Sequence, residues 1–569
     1  MDASIWSQVY DPLGSAVLST AVAAVPLVLL LGLLAFGGFS ALRAALAALG
    51  AAIGLATAVF GMPPTAALAA AGYGAAFGLF PIGWIVVNVM FLHALSVESG
   101  ALDVMKRSVT RLSPDHRVQA LLIAFAFGAF LEGAAGFGAP VAITAALLAG
   151  TGFPALEAAV IALIANTAPV AFGALGTPII TLAKVTGLDE ASLAAIAGRQ
   201  LPIFSLVIPA WMVVAMSGWR GLAGVWPAVL VCGASFAAVQ FAMANYVGAA
   251  LVDVVGGIAC LAVMACFLTW WRPATIWRHA GPTDGPDETG EVDPPGRIAW
   301  AWMPWLILSA CVFLWGLAPV KRALDAAVPP PEIRVPALHG RVAKVPPATR
   351  AGLEIEPAVY RLNTASAAGT GILAAAVLAV PWLGVGWRRA ARLWWANLAR
   401  LSMPLATIAT MLALAFVTRS SGMDVTLGLA LTGTGPAYPF FAAILGWLGV
   451  AITGSDTSSN AMFGSLQKVT AEQLGLDPLL ICTANSTGGV MGKMIDAQSI
   501  VVAATATGVH RQEGAILRRV FPHSAALAAL VGLLVWLQAG PLEWMVRLPP
   551  IPAVNSDSPT IHYPEGDER

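Results

Sequence analysis

Long apolar stretches with very few charges constrain this chain more than any other feature. Between Val118 and Gly187 the ionisable side chains are limited to Glu132, Glu157 and Lys184. Of the 569 residues, 58% are hydrophobic and 11% are charged, and the mean hydropathy is +0.80, whereas about a quarter of the residues of a soluble protein are charged. Because about 20 consecutive apolar residues can cross a bilayer as a helix, the sequence predicts an all-α polytopic membrane protein.

Apolar runs recur along nearly the whole chain and predict about 12–14 transmembrane segments, some of them broken or re-entrant helices. Clusters of Lys and Arg near 106–117, 388–400 and 511–519 predict that both termini lie outside, although the basic residues of the 321–361 insertion conflict with that orientation. The polar stretches divide the chain into an N-terminal transmembrane half (1–271), a polar loop (272–298), a further span (299–320), a polar insertion, expected to be external (321–361), a C-terminal transmembrane half (362–545) and a polar tail (546–569).

A weak internal repeat relates the two halves. The stretch 165–187 aligns with 484–508, since both open with Ala-Asn-Thr/Ser, pass through a Gly-rich part and close with Thr-Gly. Each is preceded by an acid among small residues, in the segments 130–150 and 453–467. Two such units predict a transporter with two inverted structural repeats and helices broken in these four segments. The alternative is a chance alignment of small-residue membrane sequences.

Two acids in these segments are the strongest candidates for chemistry. Glu132 precedes Gly133, Gly136, Gly138 and Pro140, which disfavour a regular helix. Close helix packing would explain the glycines but not a carboxylate at membrane depth, which is costly. Asp456 lies in a Gly-Ser-Asp-Thr-Ser-Ser-Asn run that could equally be a helix start, and a capped start is itself favourable to anions. We predict that both acids take part in proton coupling.

Polar residues around these acids complete the predicted site. Lys493 and Asp496 could form a structural ion pair at i,i+3 spacing, or Lys493 could bind a substrate carboxylate while Asp496 balances charge and joins Glu132 and Asp456 in proton coupling. His93, Glu157 and Asp253 stand alone and are interpreted as packing or interfacial residues. The predicted substrate-binding residues are Asn166, Thr167, Gly173, Ser455, Thr457, Ser458, Asn485, Ser486, Thr487 and Lys493.

Four motifs, taken together, closely resemble the lactate permease family. They are FLEGAAGFGAPVA, LIANTAPVAFGALG, TGSDTSSNAMFGSLQ and NSTGGVMGKMIDAQSI, in that order along the chain. The resemblance implies a multi-pass plasma-membrane symporter that imports L-lactate, and in many members D-lactate or glycolate, together with protons. It also implies that both termini lie outside.

Other functions remain possible from the residues alone. A sodium-coupled carrier of di- or tricarboxylates would use similar Asn- and Thr-containing breaks, and a membrane-embedded enzyme is a further alternative. No metal-spaced His pair, nucleophile elbow or Walker loop occurs in the sequence, so we expect no enzyme activity, cofactor or metal. The expected partners are a small monocarboxylate, protons and the lipid bilayer, without nucleic acid, and the oligomeric state is left open.

Overall fold

The computed structural model describes residues 5–35, 39, 41–134, 139–279, 293–348, 353–355, 357–509 and 512–548. The helices of these ranges are α1 (Ala16–Ala35), α2 (Ala41–Ala58), α3 (Pro64–Phe77), α4 (Trp84–Glu98), α5 (Ala101–Thr110), α6 (His116–Gln119), α7 (Gly128–Ala134), α8 (Ala139–Gly150), α9 (Ala155–Ala165), α10 (Gly173–Thr186), α11 (Glu190–Tyr246), α12 (Val252–Trp270), α13 (Pro295–Gly316), α14 (Ala318–Ala327), α15 (Ala368–Trp382), α16 (Trp387–Ser421), α17 (Met423–Leu431), α18 (Tyr438–Thr453), α19 (Asp456–Leu474), α20 (Pro478–Gly492), α21 (Ala497–Ala506) and α22 (Glu513–Gln538).

Within these ranges, eight helices are long and apolar enough to cross a membrane, and α9 and α10 form a further candidate, bent by 65°. Shorter apolar helices lie within α1, α2, α8 and α15. At 57 residues α11 is too long for a single crossing, and it breaks at Gly218, whose φ of 68° is left-handed. The prediction of an all-helical polytopic membrane protein with broken helices is confirmed, and the inverted symmetry of the two repeats stays a prediction.

In the first half, two helical stretches are interrupted within the described residues, the first by a π-helical segment and the second by a 3₁₀ turn. A π-helical stretch, Ala120–Phe127, joins α6 to α7, which ends at Ala134. The predicted break at Gly136 and Gly138 lies outside the described residues, and α8 begins beyond it. After α9 the chain turns through a short 3₁₀ segment, Val170–Phe172, into α10.

The second half has a similar succession of interrupted helices. Gly454, with a φ of 72°, ends α18, and α19 begins two residues further on. Within the predicted segment 484–508, α20 continues to Gly492, and a 3₁₀ segment, Lys493–Ile495, leads to α21. The glycines of α20 serve close packing: a Cβ on Gly488 or Gly492 would collide with the backbone of α18.

A small β-structure joins the N-terminus to the polar insertion. Its strands are β1 (Trp6–Ser7), β2 (Glu332–Arg334), β3 (Val342–Lys344), β4 (Glu354–Ile355) and β5 (Val359–Arg361). β1 pairs in parallel with β3, which pairs antiparallel with β4, while β2 and β5 form a separate antiparallel pair. The N-terminus and the insertion therefore lie at the same end of the molecule, as the predicted external location of both requires.

The three basic clusters meet at the opposite end. The Arg107 guanidinium donates to Asp293 over 2.8 Å and holds the pKa of that carboxyl below its usual range. From Asp293, α13 crosses to the end that carries the β-structure. Other ion pairs of the basic end are Arg389–Glu98 and Arg519–Glu157. The shared location agrees with the prediction that all three clusters face one aqueous compartment.

Candidate functional site

A cavity of about 290 Å³ lies between the two sets of broken helices and α16. Its lining combines backbone and side chains from the helix breaks with an apolar face of α16. The lining residues are Leu42, Glu132, Val170, Gly173, Ala174, Thr177, Pro178, Met403, Pro404, Thr407, Ile408, Met411, Thr453, Gly454, Ser455, Asp456, Thr457, Ser458, Lys493 and Gln498.

The first-half wall is formed by the start of α10 and by Glu132. Ala174, Leu175 and Gly176 all have positive φ, so the chain unwinds here and the regular part of α10 begins at Thr177. Glu132 is only 4% exposed, and its carboxyl lies against Gly173. A Cβ on Gly173 would lie 2.7 Å from Glu132 Oε1, so a glycine is needed for this approach.

The second-half wall is the start of α19. Ser455 is the N-cap, and its hydroxyl accepts a hydrogen bond from the Ser458 N–H over 3.2 Å. Thr457 and Ser458 line the cavity in the first turn, beside Asp456. Unpaired N–H groups and the helix dipole favour anions at such an N-terminus. The regular parts of α10 and α19 thus both begin at the cavity.

Lys493 supplies a positive charge at the same place. Its ammonium donates to the Gly454 carbonyl over 2.7 Å and lies 3.3 Å from Asp496 Oδ2. Asp496 also caps α21, since its Oδ1 accepts from the Ser499 N–H over 2.7 Å. The ion pair and the cavity contact coexist, so the two interpretations of Lys493 are compatible.

Asp456 is anchored in a network of polar side chains that extends away from the cavity. Its Oδ2 accepts from the Ser486 hydroxyl over 2.5 Å and from the Asn460 amide over 3.4 Å. The Asn460 amide also donates to the Pro178 carbonyl over 3.1 Å, which links α19 directly to the first half. Asn485 donates in turn to Asn460 Oδ1 over 2.9 Å. These bonds fix the position of Asp456 at the start of α19.

The structure separates the predicted site residues into two groups. Seven line the cavity: Glu132, Gly173, Ser455, Asp456, Thr457, Ser458 and Lys493. The others, Asn166, Thr167, Asn485, Ser486, Thr487 and Asp496, are buried behind it. Asn485, Ser486 and Thr487 lie inside α20 rather than in a break, and the Thr487 hydroxyl donates to Gln200 Oε1 over 2.7 Å. They support the walls of the cavity without forming its surface.

The sequence-based prediction missed the contribution of α16. Met403, Thr407 and Met411 line the cavity from this helix, and their spacing of four residues places them on one face. That spacing was the available signal, but the same pattern is usual in any packed helix. Gln498, in the first turn of α21, was also missed.

Broken helices whose N-terminal ends converge on a cavity with ionisable side chains are typical of secondary transporters. Within the described ranges no group of three or more His, Cys, Asp or Glu residues could hold a metal ion. The fold and the cavity thus define a membrane carrier for a small solute.

Comparison with known proteins specifies the family. A model of the L-lactate permease family matches residues 19–540. An L-lactate permease of Bacillus subtilis is 44% identical, with 95% of this chain and 100% of that protein covered, and glycolate permease GlcA of Escherichia coli is 44% identical, with 94% and 98% covered. The solved YdaH transporter of Alcanivorax borkumensis is 14% identical, with a TM-score of 0.44 over 84% of this chain and 88% of that one. The chain belongs to the L-lactate permease family.

Proposed function

We propose that this protein imports L-lactate, with D-lactate and glycolate as further substrates, across the plasma membrane by proton symport. The observation that carries the proposal is the meeting of Lys493, the start of α19 and two buried acids at one cavity. The names of the relatives, L-lactate permease and glycolate permease, support the substrate class.

The cavity suits a small carboxylate. Its volume of about 290 Å³ is just below the range for drug-sized ligands, roughly 300–1,000 Å³, as suits a smaller solute. Lys493 and the N–H groups at the start of α19 would bind the carboxylate, and Ser and Thr hydroxyls nearby would bind the 2-hydroxyl group. The apolar face of α16 would contact the carbon chain.

The energetics of anion import favour a coupled proton. Moving one negative charge against an inside-negative potential costs about 2.3 kcal/mol per 100 mV. A proton that moves with the anion removes this cost, and a pH gradient then drives accumulation. Glu132 and Asp456 are the proposed proton carriers because both face the cavity, and Asp496 completes the charge balance around Lys493. Rocking of one repeat against the other would alternate access to the site.

Uptake by the purified protein in sealed proteoliposomes tests the proposal. Labelled L-lactate should accumulate when the outside is acidic, and an uncoupler that collapses the pH gradient should abolish the accumulation. Replacing sodium by choline on both sides should leave uptake unchanged. Unlabelled glycolate and D-lactate should compete with the label, whereas citrate should not.

Two outcomes would contradict the proposal. Uptake that requires sodium and ignores the pH gradient would indicate the sodium-coupled alternative. A carrier that transports citrate in preference to lactate would overturn the substrate class.

A further inference from the structure

A third buried acid lies behind the first-half wall of the cavity. Asp253 is in the first turn of α12 and has an exposure of 0%. Both of its carboxyl oxygens are buried and have no hydrogen-bond partner among the described residues. An ionised carboxylate in such surroundings is expensive, and a residue that served packing alone would have no need of one.

Asp253 adjoins the same elements that position Glu132. A Cβ on Gly133 would lie 2.7 Å from the Asp253 Cβ, so α12 and α7 are in close contact just after Glu132. The loop before α12 packs on the unwound start of α10, since a Cβ on Gly176 would lie 2.8 Å from the backbone of Ala249. Asp253 is therefore next to the first-half wall, although it does not line the cavity.

Glu132 is the charged group that faces Asp253. The elements packed against α12 are α7, α10, α11, α13 and the π-helical stretch 120–127. Among the charged side chains of these elements, the Glu132 carboxylate acts electrostatically on Asp253. No such interaction is found for the described charged groups elsewhere on these elements, which are Lys184, Glu190, Arg199, Arg220 and Arg297. Lys493 acts on Glu132 from the other side.

We propose that Asp253 and Glu132 form a coupled pair of carboxyls in which Asp253 sets the pH at which Glu132 takes up and releases the transported proton. This inference rests on the proposed proton symport. Before loading, both carboxyls are ionised, and the pair takes up one proton readily because two buried like charges disfavour each other. Loading adds one proton from the cavity to Glu132, and release returns that same proton to the other side. Asp253 acts through Glu132 as a positioning residue, and it does not contact the substrate.

Asp253→Asn tests the proposal, with Asp424→Asn as the matched control. Asp424 is also a buried acid in the first turn of a helix, but it lies away from Glu132 and from the cavity. Initial rates of proton-driven L-lactate uptake are measured as a function of pH for both variants and for the wild type. Without the negative charge beside it, Glu132 loses its proton at lower pH, so the alkaline limb of the Asp253→Asn profile should shift by on the order of one pH unit towards acid. Asp424→Asn should keep the wild-type profile.

The outcomes separate this inference from the proposed function. A wild-type protein without pH dependence would refute proton symport itself, whereas a pH-dependent wild type with an unshifted Asp253→Asn profile would refute the pairing alone. If Asp253→Asn does not fold, the smaller neutral variant Asp253→Ser takes its place. Failure of both variants to insert stably would also overturn the inference, because a side chain without a hydrogen-bond partner should contribute little to folding.

Discussion

The two acids of the cavity are held in different ways. Asp456 accepts hydrogen bonds from Ser486 and Asn460 and lies at the start of a helix, where a negative charge is favourable. Glu132 lies at the end of the described part of α7, against Gly173 and with the Asn166 amide nearby, and its Oε2 has no hydrogen-bond partner among the described residues. Oδ1 of Asp456 likewise has no hydrogen-bond partner among the described residues, so the contrast lies in the other oxygen, which in Asp456 is fixed by two donors.

From this difference we infer that the two halves have different roles, with anion binding in the second half and proton transfer in the first. We expect the second half, with the N-terminus of α19 and with Lys493, to provide the binding surface for the substrate anion. A sparsely bonded carboxyl changes its protonation state at little cost in hydrogen bonds, because few partners must rearrange. We therefore expect Glu132 to be the principal proton carrier and Asp456 to act more as part of the binding surface.

The largest effect is expected from neutralising Glu132. Glu132→Gln should reduce proton-driven L-lactate uptake to the level of empty liposomes, because the amide cannot carry a proton. Counterflow of labelled against unlabelled L-lactate should persist, since Gln resembles the protonated acid and the loaded carrier can still reorient. Uptake and counterflow are measured on the same proteoliposomes.

Wild-type uptake by Glu132→Gln would remove this residue from the coupling mechanism. The reverse division of labour would follow if Asp456→Asn, tested in parallel, lost uptake but kept counterflow while Glu132→Gln lost neither.

Removal of the cavity's lysine should mainly weaken binding. Lys493→Ala should raise the L-lactate concentration for half-maximal counterflow by about ten- to a hundredfold, the loss expected for a charge-assisted hydrogen bond of roughly 1.5–3 kcal/mol. Lys468→Ala is the matched control, because the Lys468 ammonium donates to the Thr186 carbonyl and does not line the cavity. An unchanged apparent affinity in Lys493→Ala would place substrate binding elsewhere.

The close approach of Gly173 to Glu132 can be tested without changing any charge. Gly173 has a φ of −60°, so alanine is compatible with the backbone, but its Cβ would displace the Glu132 carboxyl. Gly173→Ala should lower the maximal rate of proton-driven uptake by about tenfold, since small displacements of a reacting group are costly. Gly50→Ala in α2, where a Cβ meets nothing within 4 Å, should behave as wild type. Equal rates in both variants would show that Glu132 tolerates displacement.

Local chemistry explains which parts of this site could be predicted from the sequence. The break at Gly454 was predictable because a positive-φ residue and a Ser N-cap act within a few residues of the chain. The position of the break within 484–508 could not be predicted, because the glycines that follow Asn485, Ser486 and Thr487 serve contact with α18 and leave α20 regular up to Gly492. Asp253 gave no signal either, since its proximity to Glu132 arises only when α12 packs on α7. Contacts of this kind, between segments far apart in the chain, cannot be predicted from the local sequence.

The smallest effect is expected from the N-cap of α19. Ser455→Ala removes the hydroxyl that accepts from the Ser458 N–H and loosens the first turn, at a cost of about 1 kcal/mol. If the start of α19 binds the substrate anion, the apparent affinity for L-lactate should fall by about fivefold. Asp189→Ala removes the corresponding cap of α11, where the carboxylate accepts from the Ser192 N–H, and should leave the affinity unchanged. An equal loss in both variants would mean that capping acts through general stability. An effect confined to Ser455→Ala would place the anion at the second half, where the donors are already arranged.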